Sequence, residues 1–190
     1  MDKDAPLRAD ARHNRERILA AAEQVFMEQG GGASLEAVAK RAGVGIGTLY
    51  RRFSTRDELL AATYSERLLA FAESCHASTA ALDTRGALRA FVAGLVTHIN
   101  IYRGLAASIG MVLQSGTPGC AALSEVGALL LRQAQHSGAV RKDIAFNDLV
   151  YMITAISLAI EQEGASKART AQLVSIFFDG VNSRPGAPGL

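Results

Sequence analysis

The residues of this chain whose types and spacing could do chemistry are basic, and they fall in one short run. Lys40, Arg41, Arg51, Arg52 and Arg56 stand close together with no acid among them, while Glu23, Glu28 and Glu36 lie outside the run. A guanidinium donates parallel N–H bonds in one plane, which matches a phosphate or the O6/N7 edge of guanine. Winding Ile46 to Phe53 at about 3.6 residues per turn puts Gly47, Thr48, Arg51 and Arg52 on one face. The apolar stripe Ile46, Leu49, Tyr50, Phe53 takes the other. Thr48 adds a hydroxyl, Gly47 lets a partner approach the backbone, and Tyr50 can pack its ring while its hydroxyl meets a phosphate. These are the properties that duplex DNA asks of a protein surface. The candidate DNA-binding residues are therefore Ser34, Lys40, Ile46, Gly47, Thr48, Tyr50, Arg51, Arg52 and Arg56. On the residues alone, a plain helical hairpin with a solvated basic face is the alternative.

The elements that must position this face are readable from local signals. Leu35, Val38, Ala39 and Ala42 recur at i, i+3, i+4, i+7 and predict a helix. Ser34 stands at its N-cap, and Gly43 at the position where a left-handed residue ends a helix. A tight turn then leads into the Ile46–Phe53 helix. Upstream, Ile18, Ala22, Val25 and Phe26 mark a bracing first helix that stops at Gly30-Gly31-Gly32. Downstream, Ser54-Thr55 with Glu58 forms the next N-cap. Helix four follows with Leu60, Tyr64, Leu68, Phe71 and Cys75, long enough to enter a second domain and so to link the two mechanically.

From about Arg15 to Leu60 the chain resembles the DNA-binding domain of the TetR family of transcriptional regulators. The matching pieces are RERILAAAEQVFMEQG, SLEAVAKRAGVGIGTLYRRF and STRDELL. The resemblance implies a three-helix helix-turn-helix domain. Arg52 stands where the family usually has His, and Arg56 where it usually has Lys; both keep a phosphate donor.

Composition bounds the remaining classes. The 190 residues carry a net charge of only +2, so basic character is local, and a global polycation is excluded. Two cysteines, Cys75 and Cys120, make neither a disulfide framework nor a C-x-x-C site. His13, His76, His98 and His136 form no metal pair, and no catalytic constellation is visible, so no enzyme, metal or cofactor is expected. The longest apolar run, Leu149 to Ile160, falls short of the roughly 20 residues of a membrane span, and the polar start of the chain carries no signal peptide, which predicts a cytoplasmic protein. Strand signals are scarce. The expectation is an all-α protein of about nine helices. It has an arm over 1–14, a helix-turn-helix domain over 15–58, a helical effector-binding and dimerisation domain over 59–184, and a tail over 185–190. Arg8, Arg12 and Arg15 either reach DNA from the arm or belong to a solvated tail.

In the second half, periodicity predicts helices over 85–102, 104–114 and 120–137. Asn147 caps an eighth, and Ser166 opens a ninth. The last two, containing LVYMITAISLAI and LVSIFFDGV, are apolar almost all round, so a second copy of the chain is the natural cover. The resemblance implies the same pairing of the last two helices. The candidate interface comprises Leu149, Met152, Ile153, Ile156, Ile160, Leu173, Phe177, Phe178 and Val181. The alternative makes these residues the domain's own core. The resemblance further implies a cavity for a small molecule whose binding releases DNA, with Tyr64, Phe71, Phe91, His98, Tyr102, Met111 and Gln114 as candidate lining. Read singly, each is as compatible with core, His98 included. The expected function is a homodimeric repressor on a pseudo-palindromic site. The rivals are a DNA-binding regulator without a small effector and an all-α carrier or enzyme.

Overall fold

The computed structural model describes residues 4–30, 32–101, 105–164 and 166–181. Among these, nine helices follow in order: α1 (Asp4–Gln29), α2 (Leu35–Ala42), α3 (Ile46–Arg52), α4 (Arg56–Thr79), α5 (Thr84–Asn100), α6 (Leu105–Leu113), α7 (Pro118–His136), α8 (Phe146–Glu163) and α9 (Lys167–Val181). No described residue belongs to a β-strand, and no helix is long and apolar enough to cross a membrane. The tail over 185–190 and Tyr102 lie outside the described residues, as do the side chains of Arg8, His76 and Met111.

The helix ends follow local chemistry. Ser34 Oγ accepts from the Ala37 N–H at 3.1 Å, and Gly43 closes α2 in the left-handed region with φ 64°. Thr55 Oγ1 accepts from the Glu58 N–H at 3.1 Å, and the Glu58 carboxylate takes the Ser54 N–H at 2.8 Å. Three ends differ from the sequence reading. Residues 4–14, expected as an arm, are helical: Pro6 sits in the first turn, where its missing N–H would have had no partner anyway. Helix α7 starts two residues early, at Pro118, for the same reason. Asn147 does not cap α8; the Asp148 carboxylate reaches back to the Ala145 N–H at 2.8 Å instead.

The first three helices and the start of α4 close on Ile18, Ala22, Val25, Phe26, Val38, Leu49 and Leu59, all buried. Helix α4 as a whole has 24 residues, about 36 Å at helical rise, and packs along α7. Helix α5 touches α4, α7, α8 and α9 and forms the centre of the second half. At the start of α7 the two backbones nearly meet. The Gly119 N–H donates to Ser65 Oγ at 3.1 Å, and a Cβ on Gly119 would lie 1.9 Å from the Ser65 carbonyl oxygen. Only a residue without a side chain fits there.

Gly119→Ala therefore forces α4 and α7 apart. Overpacking of this kind costs about 1–3 kcal/mol, and in a domain of this size about 2–4 °C of Tm per kcal/mol. Thermal melts should show that loss, whereas Gly110→Ala, where an added Cβ meets nothing within 4 Å, should leave Tm unchanged or raise it. Equal melts for the two variants would contradict the close crossing.

Candidate nucleic-acid interface

Helix α3 has seven residues and is anchored by an i, i+4 pair, Leu49 at 0 % and Phe53 at 3 % exposure. Ile46 and Tyr50, expected in the same apolar stripe, are instead 37 % and 47 % exposed. So short a helix turns one narrow edge to the core, and the pair at 49 and 53 fills it. Gly47, Arg51 and Arg52 are also exposed, Thr48 is half-buried, and Arg51 Nη2 donates to Thr48 Oγ1 at 3.2 Å. The outer face thus offers two guanidiniums, a hydroxyl, a bare backbone patch, a phenol and an isoleucine side chain. Ser34, Lys40 and Arg56 are exposed nearby.

Two neighbouring arginines have structural work. Arg41 Nη1 meets Glu28 Oε1 at 2.7 Å, and that hydrogen bond holds the Glu28 carboxyl below its ordinary range. Arg17 Nη2 donates to the Ala42 carbonyl at 2.6 Å, taking an oxygen that the end of α2 leaves unpaired. Together they tie α2 and its turn to α1. The Arg17 contact spans 25 positions, and no local pattern in the sequence signals it.

Two clefts flank α3. One, of about 220 Å³, lies between α1 and α3 and is lined by Asn14, Arg15, Ile18, Thr48, Arg51 and Arg52. The other, of about 310 Å³, is lined by Ser34, Leu35 and Glu36 at the start of α2, Tyr50 of α3, and Ser54, Thr55 and Arg56 at the start of α4. Arg56 and the capped starts of α2 and α4 bring positive charge to the second cleft, and Glu36 brings a carboxylate. Every candidate DNA-binding residue except Lys40, Ile46 and Gly47 lines one cleft or the other.

The candidate effector residues are partly gathered. Phe71 of α4 stacks on His98 of α5 at 5.3 Å between ring centroids and lies 6.2 Å from the Phe91 ring. Burial first, then the positive charge of Arg67, hold His98 below its ordinary pKa. Tyr64 is buried, whereas Gln114 is exposed one residue beyond α6, carried outward by the Ser115-Gly116 turn. Ser157 on α8, missed by the sequence reading, is fully buried and its hydroxyl has no hydrogen-bond partner. No group of three or more His, Cys, Asp or Glu among the described residues could hold a metal.

The candidate interface residues divide. Leu149, Ile153, Ile156, Ile160, Phe178 and Val181 are buried within this one chain, so their own domain already covers them. Met152, Leu173 and Phe177 are half-buried. The outward apolar side chains are Tyr151 at 65 % and Ile176 at 60 % exposure, neither singled out from sequence. An all-round apolar helix does not say which of its sides faces out.

Comparison with known proteins adds to this geometry. Residues 18–63 match bacterial regulatory proteins of the tetR family, and residues 83–183 match the C-terminal domain of SbtR-like transcriptional regulators. Over 54 residues the chain is 43% identical to an HTH-type transcriptional regulator of Staphylococcus aureus, a stretch covering 28% of this chain and 29% of that protein. The match thus spans less than a third of that curated relative. Among solved structures, the TetR transcriptional regulator SCO0520 from Streptomyces coelicolor is 31% identical with a TM-score of 0.55, covering 90% of this chain and 99% of that one. FadR from Bacillus subtilis, in complex with stearoyl-CoA, is 16% identical with a TM-score of 0.61, covering 88% and 99%. RolR, in complex with resorcinol, is 18% identical with a TM-score of 0.65, covering 91% and 89%. At these lower identities the likeness is one of fold.

The cap that joins the clefted face to α4 carries a pH signature. Hydrogen bonds from Ser54, side chain first and backbone second, hold the Glu58 carboxyl below its ordinary value. A carboxyl lowered in the folded state contributes stability above its unfolded pKa and loses it as pH falls through the folded one. Tm measured from pH 7 downward should therefore fall less steeply in Glu58→Gln than in the unaltered protein, with the two curves converging in acid. Parallel curves would remove the cap's contribution.

Proposed function

The chain belongs to the TetR family of bacterial transcriptional regulators, and from that premise we propose that it is a homodimeric repressor of a pseudo-palindromic operator, released by a small molecule in its second domain. The observation that carries this reading is the exposed face of α3, with Ile46, Gly47, Tyr50, Arg51 and Arg52 beside Lys40 and Arg56. Arg51, Arg52, Lys40 and Arg56 supply phosphate affinity and its salt dependence. Gly47, Thr48 and Ile46 lie where base edges and thymine methyl groups are read. Ser34 and Tyr50 share the cleft whose walls are the starts of α2 and α4, and meet the backbone there.

The outward side chains of Tyr151 on α8 and Ile176 on α9, with the half-buried Leu158, Leu173 and Phe177 on the same two helices, support dimerisation. A two-fold axis there pairs two α3 helices on one DNA face, about 34–36 Å apart. The protein then acts where the DNA is, in the cytoplasm. FadR and RolR hold stearoyl-CoA and resorcinol, which supports an effector for this fold. In this chain Tyr64, Phe71, Phe91 and His98 are the proposed wall, with the Ser157 hydroxyl as a polar contact. The ligand must prefer the state that fits DNA poorly, and DNA then weakens the ligand by the same factor. The direct ring packing of Phe71 on His98 favours a second reading, in which no small molecule enters and α4 answers to a partner protein.

The test is fluorescence anisotropy on fragments of the upstream region of its own gene, at about 50 mM and about 200 mM salt. One fragment should bind saturably. Arg52→Ala should weaken it about tenfold and lower the salt slope by roughly one. Weak binding that ignores fragment sequence, Arg52→Ala and Tyr50→Phe would overturn the reading.

A further inference from the structure

Helix α1 enters the site from the side that the helix-turn-helix pattern leaves out. Arg15 is exposed, yet its guanidinium carbon sits 5.7 Å from the centroid of the Phe53 ring, and Phe53 is buried as the C-cap of α3. Attraction between a cation and a ring face of this kind fixes a long side chain that would otherwise sample many rotamers. Across the cleft, the Thr48 hydroxyl fixes Arg51 in the same way. Between them the cleft of about 220 Å³ is lined by three guanidiniums, an amide and a hydroxyl over the buried Ile18, and no lining residue is acidic. These groups are nearly all donors, so the occupant must bring acceptor oxygens and negative charge.

We propose that this cleft seats one phosphate of the DNA backbone, with Arg15 of α1 as the clamp opposite Arg51 and Arg52. The inference rests on the DNA-binding reading of α3. Thr48, Arg51 and Arg52 line the cleft and also belong to the outer face of α3, so a duplex docked on that face passes its backbone across the cleft mouth. Being planar and already positioned, the guanidinium loses little freedom on meeting a phosphate. The contact carries no base information, so Arg15 sets register and affinity and leaves sequence choice to α3.

The experiment measures binding of the full chain to its operator fragment and to an unrelated fragment over a salt series, for the unaltered protein, Arg15→Gln, Arg15→Lys and Arg52→Ala. Glutamine keeps part of the stem over Phe53 and removes the charge. Arg15→Gln should weaken both fragments by the same factor, about fivefold to tenfold, and lower the salt slope by roughly one. Arg15→Lys should restore the slope, and Tm should stay near that of the unaltered protein. A fall in Tm with an unchanged slope would make Arg15 a brace between α1 and Phe53 and overturn the proposal. A selective loss on the operator alone would make it a base contact and overturn it too. Thermal shifts with inorganic phosphate against chloride, at matched ionic strength, separate the two sources of the anion. Stabilisation of the unaltered protein only, with equal DNA slopes, would assign the seat to free phosphate. If Arg52→Ala is also without effect on either fragment, the DNA reading itself fails and takes this inference with it.

Discussion

A helix of seven residues has no stability of its own in water, because nucleation costs more than so few hydrogen bonds return. Everything asked of α3 therefore depends on what holds it from behind. Leu49 and Phe53 bury one edge, and Gly43 in its left-handed conformation sets the turn from α2. Arg17 fastens that turn to α1 through the Ala42 carbonyl, and Arg41 with Glu28 fastens α2 a second time. With its rear edge fixed, the helix leaves Ile46, Tyr50, Arg51 and Arg52 exposed in a defined geometry. A reading surface needs this, since base discrimination is lost when donors wander.

Helix α4 ties that surface to the rest of the chain. Its first turn is capped by Thr55 and Glu58 within the clefted face, its middle is bonded to α1 through Arg67 and Glu23, and α7 pinches it at Ser65 and Gly119. These three contacts tie α4 to its neighbours, and the effector response proposed above would have to act through them. Further along, Phe71 meets the His98 and Phe91 rings of α5. The pinch admits no side chain at Gly119, and the two backbones there cannot slide independently.

How much of this was legible in the sequence depends on how local each cause is. Ser34, Gly43 and Thr55 act on their own or adjacent turns, so their types and spacing sufficed. The Leu49/Phe53 anchor followed from periodicity. Periodicity names a face but not what covers it: it set Ile46 and Tyr50 in the apolar stripe with Leu49 and Phe53, whereas both stand outside, where their other reading as DNA-binding candidates requires them. The same limit turned Leu149, Ile153 and Phe178 into interface candidates, although their own domain buries them, and hid Tyr151 and Ile176. Pro6 and a polar composition suggested an arm, but in a first turn proline breaks nothing. The bonds made by Arg17 and Arg67 span 25 and 44 positions and leave no trace in any window of sequence. Membership of the TetR family was legible because the helix-turn-helix is a local pattern. The candidate effector residues Phe71, Phe91 and His98 meet across α4 and α5 only in space, so the resemblance and no local pattern singled them out, and Gln114 stands apart from them.

The central claim is that two copies of this chain present their α3 helices to one DNA face, and a nuclease footprint on the upstream region of its own gene tests it most directly. Two protected half-sites related by a two-fold axis are expected, with centres about 10–10.5 base pairs or a small multiple of a turn apart. Protection should be strongest where the backbone crosses the α3 face. A single protected half-site that does not double at higher protein concentration would contradict the paired arrangement. No protection at any concentration that saturates binding to bulk DNA would contradict sequence recognition by α3.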